Sequence, residues 1–525
     1  LGAGNASGTK KDTMRSDIDL WMTRLSYVYI VLPFLLFAFF WLNFFGALVF
    51  GGTVLAGLVF ALKRIDPWQF VRLNRGTVFW VVALVLILVF FSGIGSYTYQ
   101  NEDFPYRNAL FSDLIKYPWP VMYQVEGFEG HFLNGKETIM TYYLGYYLPA
   151  AGIGKVFGPG AGQFALYLWT VLGVLIVLYQ VGKYVQKFTF PVVAMFFAWG
   201  TLFFVGALLK YPLEKFGTEG NYLWAGMRLY ANSNLGSIYW IFNQSLTAWP
   251  IMLLILNKAP LKNAIFLYSF CLFLSPFCFV GFLPFFLYYL LQHYRLERDL
   301  LDFVKSAFSF QNVLAALAVV SLTYFYLQSN KAGQKFHYIP WSSIKVFVAF
   351  MFLSWGLIAL LLFPKFRKEP LYWIAVLVLI PLPFFQQGNG MDFPGRVSMP
   401  AFLVLLLLAI RLVLEERRAL TKRAMVLYFV VSGVAHFIFE TGTSMWKTGY
   451  ANLSYRTNLD EFLLQSEHPK WREMGEELKT IKHKDVLTRD PFKTVTHPSN
   501  PVIWNYMADT EHSFFYQYLA KKREP

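Results

Sequence analysis

The sequence predicts an all-α polytopic membrane protein of about thirteen transmembrane helices, with external helices beside the membrane in its first large loop and a small external C-terminal segment. Three observations carry this. The 525 residues are 56% hydrophobic and 20% aromatic, with a mean hydropathy of +0.43. A soluble chain of this length could not hide so much apolar surface in domain-sized cores. Apolar segments of roughly 17 to 21 residues recur, each long enough to cross a hydrocarbon layer of about 30 Å. The long runs do not alternate polar and apolar residues, so a membrane barrel is not indicated.

In chain order the apolar segments lie near 25–43, 46–62, 77–96, 162–182, 189–209, 242–257, 261–274, 277–292, 311–328, 343–363, 370–386, 397–413 and 424–440. Asn43, Gly46, Gly51 and Gly52 break the first stretch and predict a tight hairpin over 25–62. Ser275 and Pro276 predict a second hairpin, because proline starts a helix more readily than it continues one. The run 141–158 is tyrosine-rich at 142, 143, 146 and 147. It reads as an external helix on or dipping into the interface, where a ring has one wet edge and one apolar face.

The formal charge is +15. Membrane topology explains it before nucleic acid does, because basic residues mark cytoplasmic loops. Lys10, Lys11, Arg15, Arg24, Lys63, Arg64, Lys183, Lys187, Lys258, Lys262, Arg295, Arg298, Lys305, Lys365, Arg411, Arg417 and Lys422 all fall on one face if the thirteen segments span. The N-terminus is then inside and the C-terminus outside. This divides the chain into a cytoplasmic segment 1–24, a membrane domain 25–440 with external loops 97–161, 210–241 and 387–396, and an external tail 441–525 docked on those loops. Cys271 and Cys278 lie in apolar sequence and read as buried small hydrophobes, not as a disulfide or metal site. The start, "LGAGNASGTKK", lacks a methionine, as expected of a trimmed terminus, and shows no signal peptide. No internal repeat is visible, which weakens an inverted-repeat transporter reading.

Three stretches concentrate polar chemistry. In "NEDFPYRNALFSDL", Glu102 and Asp103 emerge where a span leaves the lipid. Asn108 caps a short helix over 109–117 that carries Asp113, and Pro118 closes it. A carboxylate partly shielded from water can serve as a general base, and Arg107 stands close by. The competing reading is a solvated acidic loop. The second stretch, 221–250, mixes Trp224, Arg228, Asn243 and Gln244 with further aromatics. Indoles and amides suit sugars, whose rings have apolar faces and hydrogen-bonding edges; an aromatic belt is the plainer alternative. The third is "QQGNGMDFPGRVSMP", where Asp392 and Arg396 can pair. An arginine at the lipid boundary is a good phosphate ligand, although such a pair also occurs as a simple surface contact. His131, His337, His468, His483, His497 and His512 show no metal-ligand spacing, and His436 beside Glu440 reads as a local hydrogen bond. There is no phosphate loop, dinucleotide fingerprint or nucleophile elbow.

An acidic pair, Glu102-Asp103, opening a long external loop just past a membrane helix, with about a dozen spans and an external tail, resembles the GT-C class of integral membrane glycosyltransferases. The resemblance implies a sugar donor linked to a polyprenyl phosphate, reached from the outer leaflet, and a carboxylate base at the position of Asp103, with Glu102 or Asp113 as rival. Arg396, Arg228 or Arg107 would then hold the phosphate, and Asn243, Gln244, Trp224 and Asp392 would line the substrate site. No cofactor is required; a divalent cation bridging carboxylate and phosphate is compatible. In that class the acidic pair follows the first span, whereas here it follows the third, which makes the 25–62 hairpin an addition. The expected placement is a bacterial cytoplasmic membrane, with membrane lipids and an acceptor glycan, lipid or protein as partners and no nucleic acid. A lipid or polysaccharide-precursor flippase and a non-catalytic subunit of a larger assembly are the other classes the sequence leaves open.

Overall fold

The computed structural model describes residues 5–63, 65, 71–101, 103–126, 132–202, 223–224, 227–228, 233–296, 300–330, 336–338, 344–387, 392–457, 459–473, 476 and 506–522. Helices dominate. Seven are long and apolar enough to cross a membrane: Ile18–Trp41, Phe44–Lys63, Pro159–Tyr184, Pro276–Leu296, Phe347–Phe366, Asp392–Glu415 and Ala419–Tyr450. The pair Leu300–Ala307 and Gln311–Leu327, bent by 52°, would make an eighth. Arg75–Phe91, Phe242–Leu256, Leu261–Leu274 and Pro370–Phe384 are apolar but shorter. Each of the thirteen apolar segments therefore coincides with a helix, while about half reach full spanning length. For 189–209 the described helix is Phe190–Ala198, and 203–209 lie outside the described residues.

The outside of this body is apolar. Phe79 and Trp80 are each 64% exposed, and Phe44 and Phe45 each 75%. Large bare apolar faces are costly in water and ordinary against lipid tails. The architecture is that of a helical, polytopic membrane protein.

Polar groups gather at two ends. At one end, Lys183 and Asp19 form an ion pair at 2.9 Å, with side chains only 6% and 2% exposed. The Tyr179 hydroxyl donates to the same carboxylate at 2.6 Å. Gln180 donates to Ser26, and Asn257 donates to Gln180. Asn263 donates to Tyr27 and to the Ala61 carbonyl, and receives a hydrogen bond from Gln311. Arg411 meets Glu369 and Glu415, and Lys365 also reaches Glu415. This is the end where the basic loops begin. The helix Asn5–Trp41 runs through residue 24 without interruption.

At the other end, short strands appear that the hydropathy pattern did not suggest. Strands β1 (Met122–Gln124), β2 (Glu137–Met140) and β7 (Met507–Asp509) form one antiparallel sheet in the order β1-β2-β7. The register pairs Met140 with Met507 and Thr138 with Asp509. β3 (Leu223–Trp224) pairs with β4 (Met227–Arg228), and β5 (Phe336–Tyr338) with β6 (Phe385–Gln387). Strands of two to four residues are too short for a periodic signal, and the partner of β2 in β7 lies hundreds of residues away.

The C-terminal residues complete this end. Leu42 bridges to Ala520, Asn43 donates to the Tyr518 and Leu519 carbonyls, and the Lys521 N–H donates to Trp41. The tip of the predicted hairpin is thus covered by the tail. Lys136 and Asp509 close the β2–β7 pairing with an ion pair at 2.8 Å.

Two predictions follow from these contacts. Lys183→Met strands a buried carboxylate and is expected to cost about 3–5 kcal/mol, whereas Asp19→Asn with Lys183→Met costs much less; thermal unfolding of the purified variants reads the difference. Burial raises the Asp509 pKa, but hydrogen bonds from Lys136, the Glu511 N–H and His512 outweigh it and hold the carboxyl below its ordinary value. A depressed folded pKa contributes stability above the unfolded value of about 3.9 and loses it as pH falls through the folded one. The stability gap between wild type and Lys136→Met is therefore expected at pH 7, and it closes on acidification below about pH 3.9.

Candidate functional site

The stretch 101–116 folds into a longer helix than its sequence suggests. The helix is Phe104–Lys116, with Asp103 at its N-cap and Pro105 in the first turn. Proline fits there because first-turn N–H groups have no partner within the helix. Arg107 falls one turn after Asp103 and pairs with it at 2.7 Å. A second guanidinium contact goes to the Trp240 carbonyl. The guanidinium also lies over the Phe104 and Phe242 rings, at 5.6 and 5.2 Å from their centroids. Its side chain is 13% exposed, while the Asp103 side chain is 48% exposed. The cation is seated in aromatic packing and the carboxylate faces outward.

The same arrangement recurs at the other predicted stretch. Asp392 and Arg396 form an ion pair within the helix Asp392–Val397, with side chains 55% and 12% exposed. Phe393 packs edge-on against Phe277. The two segments share a sequence: Asp103-Phe104-Pro105-Tyr106-Arg107 and Asp392-Phe393-Pro394-Gly395-Arg396. The motif recurs over five residues only, far below the length of repeat that bears on a transporter fold. Comparing the two loops with each other, instead of scanning for long periods, would have found it.

Tyr143 feels charges from both segments. Burial raises its hydroxyl pKa; Asp392 pushes it further up, and Arg396 and Arg107 draw it down. Tyr143 therefore stands in the electrostatic field of both pairs. Tyr147 is raised by burial and lowered by Arg107, with Tyr143 and Asp103 acting upward. The tail contributes Tyr506, raised by burial and Tyr143, lowered by Arg107 and raised again by Asp103. Tyr142 lies between, with ring centroids 3.9 Å from Tyr143 and 5.0 Å from Tyr506.

Two of these tyrosines, Tyr146 and Tyr147, are packed inside the protein instead of lying on its surface. A 3-10 turn, Leu144–Tyr147, leads into the helix Leu148–Phe157, which folds back on Pro159–Tyr184. Gly154 and Gly162 allow that close approach: a Cβ on Gly154 would stand 3.2 Å from the Gly162 Cα. Tyr146 and Tyr147 are each 1% exposed, and Tyr146 shares a hydrogen bond with Thr170 at 2.7 Å.

The other predicted residues separate. Asp113 is fully buried and accepts from Tyr123 at 2.8 Å, on the side of its helix that faces the interior. Asn243 and Gln244 are each 2% exposed in the first turn of Phe242–Leu256, so neither lines an open cleft. Trp224 and Arg228 fall in β3 and β4, where only backbone is described. Glu102 lies outside the described residues. His436 bonds the Thr201 backbone. Glu440 accepts from the Trp240 indole at 2.8 Å. Sequence reasoning did not assign Glu440 or Trp240 to the site, because their link to Arg107 exists only in three dimensions. Cys271 and Cys278 are free and buried, as expected.

One metal-like group occurs among the described residues: Asp509, Glu511 and His512, with ligand atoms within 4.8 Å of one another. Asp509 is already engaged by Lys136 and by His512 Nδ1 at 3.1 Å, so an ion there would have to displace an ammonium. No protein family, curated protein or solved structure matches the chain.

Close packing holds the second pair in place. A Cβ on Gly281 would lie 2.0 Å from the Val397 carbonyl oxygen, next to Arg396. Gly281→Ala must push that segment away, at a cost of about 1–3 kcal/mol. A lowered midpoint in thermal unfolding checks it.

Proposed function

We propose that the chain is a membrane glycosyltransferase that moves a sugar from a polyprenyl-phosphate donor to an acceptor hydroxyl at the extracytoplasmic face. The observation that carries this reading is the recurrence of one Asp–Arg pair in two segments whose arginines both influence Tyr143, with both guanidinium groups largely covered and both carboxylates about half exposed. Asp103 takes the proton from the acceptor hydroxyl as its oxygen attacks the sugar's anomeric carbon. The bond from that carbon to the phosphate oxygen breaks, and Arg107 and Arg396 hold the departing phosphate as its charge grows. Asp103 is preferred to Asp113 because Asp113 has no exposed surface from which to meet an acceptor.

The finer topology rests on the two polar ends. Lys183, Lys365 and Arg411 stand at one end, and the site stands at the other. Alternation of helix ends between these clusters supports thirteen crossings, and the positive-inside rule then puts the N-terminus inside and the C-terminus and the site outside. A bacterial cytoplasmic membrane is the placement we propose. The flippase alternative calls for ionisable groups near mid-membrane; the buried pair Asp19–Lys183 instead belongs to the basic end.

The test is turnover with purified protein and a panel of polyprenyl-phosphate sugars. Asp103→Asn is expected to lower turnover by about 10²- to 10⁴-fold while donor affinity stays nearly unchanged. Full activity in that variant would remove Asp103 from the role of base.

A further inference from the structure

The repeated pentad says more than that a phosphate is held. Both copies put proline in the first part of a short helix and return the arginine onto its own aspartate four residues earlier. Both bury the guanidinium to a similar depth, at 13% and 12% exposure, and leave the carboxylate about half exposed. Each guanidinium has its own support. Arg107 is fixed by Phe104, Phe242 and the Trp240 carbonyl. Arg396 rides on a segment whose Phe393 packs on Phe277, and whose backbone is met by Cys278 and abuts Gly281. Neither can travel to the other without leaving these contacts, yet both flank the 143–147 turn: Tyr147 lies 6.1 Å from the Phe242 ring that carries Arg107, and Gly145 abuts Leu274, on the helix break next to the Cys278 that donates to the Arg396 carbonyl.

Unused hydrogen-bonding capacity remains on the Arg107 side of this turn. Arg107 Nη1 is buried without a partner among the described residues, and so is the hydroxyl of Tyr147, which is 1% exposed. A buried donor left unmade is costly, so such groups commonly mark where a ligand oxygen belongs. The half-exposed aspartates are weak holders, because a pair open to water contributes only about 0–1 kcal/mol. A phosphoryl group matches the guanidinium fork at least as well and can displace them. The freed carboxylates then turn to water or to an acceptor.

We propose that the two Asp-Phe-Pro-X-Arg segments form a two-point clamp for a ligand carrying two linked phosphoryl groups, one guanidinium for each. This rests on reading the site as a phosphate site, and it narrows the donor from a phosphate ester to a diphosphate ester. Linked phosphoryl groups give two separately anchored cations one anionic centre each; a single phosphoryl group leaves one cation on its own aspartate.

Binding to the intact chain in phosphatidylcholine nanodiscs, followed by calorimetry, tests the clamp. The probes are farnesyl diphosphate, farnesyl monophosphate, inorganic pyrophosphate, orthophosphate and uridine diphosphate. The diphosphate ester is expected to bind at least tenfold more tightly than its monophosphate. Arg107→Gln and Arg396→Gln should each bring the diphosphate down to monophosphate affinity, and Arg107→Lys and Arg396→Lys should restore part of the gap. Farnesyl diphosphate ahead of pyrophosphate and uridine diphosphate identifies the source as a lipid; equal binding of all three identifies a soluble diphosphate. Equal affinity of the unaltered protein for mono- and diphosphate, or no binding of either, overturns the clamp without recourse to any variant, as does loss of the preference in one arginine variant only. Sugar transfer without diphosphate preference would sink the clamp and leave the proposed activity standing. Preference without transfer from any donor would do the reverse.

Discussion

Water is excluded from the flanks of these helices, so every polar side chain among them must find a partner inside the chain or retreat to an end. The distribution of charge follows from this. Asp19, buried near the start of the first long helix, is met by Lys183 and Tyr179. The arginines with chemical potential, Arg107 and Arg396, stand at helix starts, each within one turn of its own carboxylate. The middle of the body is left to Phe, Leu and Val packing. Chemistry in such a fold belongs to the ends, and the end without the basic loops is the one that also collects the short strands, the tyrosines and the tail.

The two pentads show how little sequence is needed to build a charged site in an apolar setting. Aspartate stands just before or at the first residue of the helix, proline occupies a turn whose N–H groups are spare, phenylalanine packs against a neighbouring ring, and arginine lands on the aspartate one turn later. Every element is local, so the same unit forms at residues 103 and 392 although the helices around it differ. What brings the units together is not local. Tyr143 is placed by a glycine-mediated helix hairpin, and Trp240 reaches Arg107 through its backbone while its indole is held by Glu440.

This division explains what was legible in the sequence. The apolar periodicity located a helix at every expected segment, because burial against lipid and helix packing both select for continuous apolar runs. It did not separate full spans from shorter apolar helices such as Leu261–Leu274, since length alone differs and neighbouring helices supply the remaining cover. The Asp103–Arg107 and Asp392–Arg396 pairs were within reach because four-residue spacing is a local rule. Asn243 and Gln244 misled: amides next to indoles resemble a sugar cleft, yet here they are packed inside the first turn of a helix. The burial of the tyrosines at 146 and 147 was not legible in the same way, because it is decided by Thr170 and Phe242, which are distant in sequence.

The tail has a consequence for timing. Tyr506 faces the arginine and tyrosine cluster, β7 closes the sheet on β2, and Ala520 seals the tip of the first hairpin. Residues 506–520 leave the ribosome after every helix of the body has been handed to the membrane. A half-inserted chain therefore carries an open cluster of arginines and tyrosines, and residues 506–520 act as the keystone that is set only when the arch is already standing.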